Sequence, residues 1–137
     1  MARPLLSHVD VRVRNRARST AFYDALLGDL GFIRRDSEQW TSYYDGGNEA
    51  PGPADFEWFG FTEDASPMPN SNRIALVATS NDEVDRVAAV LRRIGARHIE
   101  GPNYDEGPGY YAVFFEDLDG HRLEVCCRRD NRRRRVL

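Results

Sequence analysis

The chain states the same pattern of elements twice, about 65 residues apart, and that repetition narrows the possible folds more than composition does. The first statement opens with "HVDVRV", residues 8–13, where Val9, Val11 and Val13 alternate with His8, Asp10 and Arg12 as in a half-buried strand. "ARSTAFYDALLGDLGF" follows, with a helix N-cap expected near Ser19. Phe22, Leu26, Leu27 and Leu30 recur at helical spacing up to Gly31. Strand-like pieces come next at "QWTSYY" (39–44) and "FEWFGF" (56–61), with "DGGNEAPGPAD" (45–55) as the loop between them.

The second statement begins with a strand at "RIALVA" (73–78). A helix capped near Ser80 or Asn81 carries Val84, Val87, Leu91 and Ile94 on one face and ends at Gly95. "GYYAVFFED" and "HRLEVCC" are two strands joined by a hairpin turn at Asp119 and Gly120. His8 to Arg73 spans 65 residues, Gly31 to Gly95 spans 64 and Glu57 to Glu124 spans 67. The expected fold is therefore α+β: two repeated β-α-β-β-β modules forming a concave mixed sheet with helices on its outer face. Module one covers 5–61, a Pro- and Ser-rich linker 62–72, module two 73–127 and an Arg-rich tail 128–137, all within one domain.

Composition removes several functions. All 19 basic residues are arginine, which excludes lysine Schiff bases, lysine-anchored pyridoxal phosphate and the phosphate-loop lysine. Residues 128–137 hold six arginines and one aspartate, +5, which leaves −8 on residues 1–127 out of the total of −3. An acidic body with a basic tail argues against a nucleic-acid-binding fold. No apolar run reaches membrane-spanning length, and the N-terminus lacks a signal-peptide core. Cys126 and Cys127 are adjacent on one strand and point to opposite faces, so they do not pair. Two free thiols suggest a reducing compartment, the cytoplasm.

The valines of the first strand belong under the helix, which turns His8, Asp10 and Arg12 to the opposite, concave side. The same parity leaves Arg73, Ala75 and Val77 in the cup, and Leu123 and Val125 force Glu124 inward. In "FEWFGF" both faces are aromatic, and the offset of 67 from Glu57 to Glu124 favours a cup-facing Glu57. Positions 8, 57, 73 and 124 then form a polar set related by the repeat.

The segments "HVDVRVRNRARSTAFYDALLGDLGF" (8–32), "RIALVA" (73–78) and "YYAVFFEDLDGHRLEV" (110–125) resemble the vicinal oxygen chelate superfamily. That group contains glyoxalase I, bleomycin-resistance proteins, fosfomycin-resistance enzymes and extradiol dioxygenases. The last segment is the most specific, with Leu118 where the family usually has proline. The resemblance implies the repeated β-α-β-β-β architecture and, in metal-using members, a divalent ion in the cup. Carried over by position, it makes His8, Glu57 and Glu124 candidate metal ligands, with Glu57 or Glu124 as catalytic base. The ion would be zinc, manganese, iron or nickel.

Position 73 departs from the pattern, because the family's metal enzymes place histidine there. A guanidinium is permanently cationic and has no lone pair for a metal. Classical glyoxalase I activity is therefore disfavoured. Either His8, Glu57 and Glu124 form a reduced site, or Arg73 takes the cation's place and no metal is bound. Arg12, Arg73, Trp58, Phe59, Tyr110 and Tyr111 are the expected substrate-binding residues, with Trp40 and Tyr43 as further candidates for the wall. "EGPG" (106–109) is the expected lid. His98 and His121 read as surface or turn residues, and Tyr23 as packing.

Three functions follow from these residues and the resemblance. The first is a glyoxalase-like enzyme (lyase, isomerase or dioxygenase class) acting on a small oxygenated molecule. The second is a non-catalytic protein that sequesters a metabolite or antibiotic on a degenerate metal site. The third is a structural or regulatory protein that keeps only the fold. The expected partners are a small-molecule ligand and a second copy of the chain, a homodimer, with neither nucleic acid nor membrane.

Overall fold

Alternating valines and two capped helices set the architecture. The computed structural model describes residues 5–45, 57–105 and 107–128. The chain divides into two compact units, Met1–Met68 and Pro69–Leu137.

In the first unit the order is β1 (His8–Val13), α1 (Arg16–Asp29), β2 (Phe32–Asp36), β3 (Trp40–Asp45) and β4 (Trp58–Glu63). Its four-stranded sheet has the order β1-β4-β3-β2, with β1 parallel to β4 and the other pairs antiparallel. The second unit repeats this with β5 (Arg73–Val77), α2 (Asn81–Ile94), β6 (Arg97–Tyr104), β7 (Tyr110–Glu116) and β8 (Arg122–Arg128). Its sheet order is β5-β8-β7-β6, with β5 parallel to β8. The two β-α-β-β-β modules are thus present, each with its own four-stranded mixed sheet and one helix.

The helix α1 begins one turn earlier than the sequence suggests. Asn15 is the N-cap, its side chain accepting from the Arg18 N–H, and Ser19 lies buried inside the helix. Ser80 caps α2 as expected, and Gly95 closes it in the left-handed conformation at φ 86°. Tyr23 is fully buried as expected and is the centre of the first core, with Phe59 and Phe61 rings at 5.1 and 5.2 Å. Val84, Val87 and Leu91 of α2 meet Val113, Phe115, Leu123 and Val125 in the second core.

The hairpin between β7 and β8 shows why "EDLDGH" is built as it is. The Asp117 carboxylate is buried and accepts from the backbone N–H groups of Asp119 and His121, each at 2.9 Å. Gly120 takes φ 94°, which L side chains rarely adopt. The expected loop at 45–55 (beyond Asp45), the arginine tail after Arg128 and Glu106 of the expected lid lie outside the described residues.

Candidate functional site

Strand parity decides which side chains face away from each helix. In the first unit Phe59 and Phe61 turn toward Tyr23 of α1, so Trp58 and Gly60 occupy the opposite face with His8 and Asp10. Phe59 is therefore core and does not line the cup, which corrects the sequence reading. Tyr43 is also core, its hydroxyl donating to Asp24 of α1 at 2.9 Å.

The registers also correct Glu57. β1 pairs with β4 as His8↔Trp58 and Asp10↔Gly60, while β5 pairs with β8 as Arg73↔Arg122 and Ala75↔Glu124. The position equivalent to Glu124 is Gly60, at an offset of 64 that matches the helix-ending glycines. The 67-residue offset of Glu57 overshoots by three, and Glu57 sits exposed just before β4. The other two landmarks, at 64 and 65, already carried this signal.

The Trp58 ring and the β3 backbone fill the space where a ligating side chain would stand. A Cβ at Gly60 would lie 2.8 Å from Cζ3 of Trp58 and 2.6 Å from the Thr41 carbonyl oxygen. The His8 ring stacks on the Trp58 indole, with centroids 4.3 Å apart and planes 3° from parallel. Trp40 meets Trp58 edge-on at 6.3 Å, and the Arg12 guanidinium lies 5.4 Å from the Trp40 ring. Asp10 joins the polar groups, accepting from Arg12 at 2.6 Å with His8 Nε2 3.6 Å away. Trp40, Trp58, Tyr44 and His8, with Asp10, Arg35 and Asp36 among the polar groups, line a cavity of about 480 Å³. Arg12 and Trp58 thus stand on the expected face. The sequence reading missed Tyr44 and Arg35, whose alternation with Tyr43 and Arg34 was the available clue.

In the second unit Glu124 turns away from α2 and is only 8% exposed. Its partner is Tyr110, whose hydroxyl donates to Glu124 Oε2 at 2.5 Å, under the Arg128 guanidinium 4.5 Å from the phenol ring. Burial, followed by hydrogen bonds to Cys126 and Glu124, pushes the Tyr110 phenol far above its ordinary range. Burial likewise pushes the Cys126 thiol up, which keeps it protonated and poorly nucleophilic. Among the described residues no ion pair joins Arg73 to Glu124; the Arg73 guanidinium lies over Phe114 at 4.7 Å. Tyr111 points the other way and donates to Asp85 of α2 at 2.6 Å, so it is not on the cup face. His98 lies 3.8 Å from Glu116, and His121 belongs to the hairpin.

The four equivalent positions are therefore His8, Gly60, Arg73 and Glu124. Two of them have no side-chain atom that can bind a metal, and Glu124 already accepts from Tyr110. Among the described residues no three His, Cys, Asp or Glu side chains are grouped to hold a metal ion. In neither unit do these positions supply the donors that the divalent ion implied by the resemblance needs. What the residues can do is stack flat groups, accept or donate hydrogen bonds, and pair with charge.

The sequence profile of the Glyoxalase/Bleomycin resistance protein/Dioxygenase superfamily matches residues 5–125. No curated protein matches. Among solved structures, a glyoxalase/bleomycin resistance protein from Albidiferax ferrireducens is similar at 27% identity and a TM-score of 0.73, over 91% of this chain and 99% of that one. The fosfomycin resistance protein FosX from Listeria monocytogenes is similar at 20% identity and a TM-score of 0.66, over 89% and 91%. A FosX variant complexed with Mn(II) and 1S,2S-dihydroxypropylphosphonic acid gives 20% identity and a TM-score of 0.64, over 88% and 86%. At such identity the FosX likeness is one of fold. Among the described residues no helix is long and apolar enough to cross a membrane.

Proposed function

We propose that this chain, which belongs to the Glyoxalase/Bleomycin resistance protein/Dioxygenase superfamily, binds a small organic molecule on the helix-free face of its first unit without a metal ion. The observation that carries this reading is the His8–Trp58 stack lying over Gly60 beside the cavity of about 480 Å³. An aromatic-walled cavity with a few placed polar groups suits a small ligand with a flat unsaturated part. Asp10, Arg35 and Asp36 supply the hydrogen bonds that orient it.

The chain has two tryptophans, and Trp40 and Trp58 both line the cavity, so intrinsic fluorescence reports occupancy directly. A panel of small oxygenated aromatic and unsaturated compounds is expected to contain members that quench this emission. Trp58→Ala should weaken those members about tenfold or more, and chelator-treated protein should bind them as well as untreated protein. A panel without any response, or a Trp58→Ala variant that binds like the wild type, would overturn the reading.

A catalytic second reading rests on Glu124. A buried carboxylate held by one phenol can serve as general base to a substrate proton. Glu124→Gln then abolishes turnover of a compound bound on the helix-free face of the second unit while its affinity stays within severalfold. Product formation that is unchanged in this variant would remove Glu124 from that role. Glu57 has no comparable support, because β4 does not bring it to the equivalent position. A cytoplasmic setting remains our proposal from the two free thiols.

A further inference from the structure

The second unit places two arginines side by side with no acid between them. Arg73 on β5 and Arg122 on β8 are register partners in a parallel pair, on the face turned away from α2. Directly opposed like charges destabilise a sheet, and ordinarily a carboxylate relieves them. Here Arg73 lies over the Phe114 ring, and among the described residues neither guanidinium forms a hydrogen bond or an ion pair. Glu116 is the register partner of Arg122 on β7, yet it is approached by His98 Nε2 at 3.8 Å instead.

Both arginines open into one cavity of about 210 Å³, lined also by His98, Glu100, Phe114 and Glu116. His98 holds φ 52°, uncommon for a residue with a side chain, and projects from β6 at this cavity. A volume of this size holds a small headgroup rather than a whole cofactor. Two planar forks with five N–H donors each match the oxygens of a carboxylate or a phosphoryl group.

We propose that Arg73 and Arg122 form an oxyanion site that takes the carboxylate, phosphate or phosphonate group of a small organic ligand. The Arg73 guanidinium already rests over the Phe114 ring, 4.7 Å from its centroid, which reduces the side-chain freedom lost on binding. Glu100 and Glu116 tune the site against a free, highly charged anion and toward a singly charged headgroup. The site belongs to the second unit alone and stands independently of the aromatic cavity in the first.

The test is calorimetric titration of the full-length protein with inorganic phosphate, methylphosphonate and acetate, against sodium chloride at matched ionic strength. Wild-type protein is expected to bind at least one oxyanion and to unfold at a higher temperature in its presence. Arg73→Gln and Arg122→Gln should each weaken that anion about tenfold or more, and Arg122→Lys should fall between. The arginine tail is present in every variant, so anions held by the tail bind all of them equally. Stronger binding of acetate would assign a carboxylate, and stronger binding of the phosphorus anions a phosphoryl group. Trp58→Ala should bind the anion as wild type does, which separates this outcome from failure of the aromatic reading. Binding no better than chloride, or an Arg122→Gln variant equal to wild type, would overturn the proposal.

Discussion

Single residues set the sharpest expectations. Gly60→Ala must displace either the Trp58 indole or the β3 backbone, since its Cβ would lie 2.8 and 2.6 Å from them. The cost should be about 1–3 kcal/mol, the usual penalty for overpacking, read as a shift in the urea midpoint at constant slope. A midpoint equal to wild type would mean that the strand can open without strain. Tyr111 supplies a pH test. Its hydrogen bond to Asp85, aided by burial, pushes its ionisation up to about 12, whereas an unfolded tyrosine titrates near 10. The folded state keeps a proton that the unfolded chain loses, so this contribution is whole below about pH 10 and fades as pH rises toward 12. Tyr111→Phe should flatten that part of the stability curve; an unchanged curve would place the alkaline loss elsewhere. At this scale the sequence was half legible. Parity fixed Glu124 because Leu123 and Val125 are plainly apolar, whereas "FEWFGF" has aromatic residues on both faces and gave parity nothing to grip.

Helices and strands were easier to foresee where the period was clean. β1 and β8 read directly from alternation, β5 and β7 from short apolar runs, and the cap and glycine stop of α2 were visible in Ser80 and Gly95. The edge strands β2 and β6 were not. "FIRRD" is mostly charged and exposed, and "RHIEGPNY" contains a Gly–Pro pair that reads as a breaker. The cap of α1 was misplaced because Asn15 sits in a run of arginines without a partner glutamate three residues on. Asn15→Ala should therefore cost about 1 kcal/mol of stability by chemical denaturation. Gly28, inside α1 with open space where a Cβ would go, should do the reverse. Gly28→Ala is expected to stabilise by about 0.5–1 kcal/mol. A loss of stability there would show that the glycine serves something other than the helix.

For the whole molecule the repeat was the legible part, and assembly is the open prediction. β1 and β5 are each the edge of their sheet, and Val9, Val11, Ile74 and Leu76 are only half-buried on the helix side. Edges of this kind seek partners, and we propose a homodimer; sedimentation at micromolar concentration should give a dimer mass, and a monomer would refute it. The glycine at position 60 has one more consequence, and it concerns ancestry. If relatives that hold a metal and this chain share a forebear, the road back is closed to single steps. An acidic residue introduced at 60 collides with an indole and a carbonyl before it can touch any ion. Shrinking Trp58 would clear the indole, dismantle the stacked wall beside His8 and still leave the Thr41 carbonyl 2.6 Å from the new Cβ. A carboxylate at 60 therefore needs both the indole and the β3 backbone to move, and no single substitution supplies that.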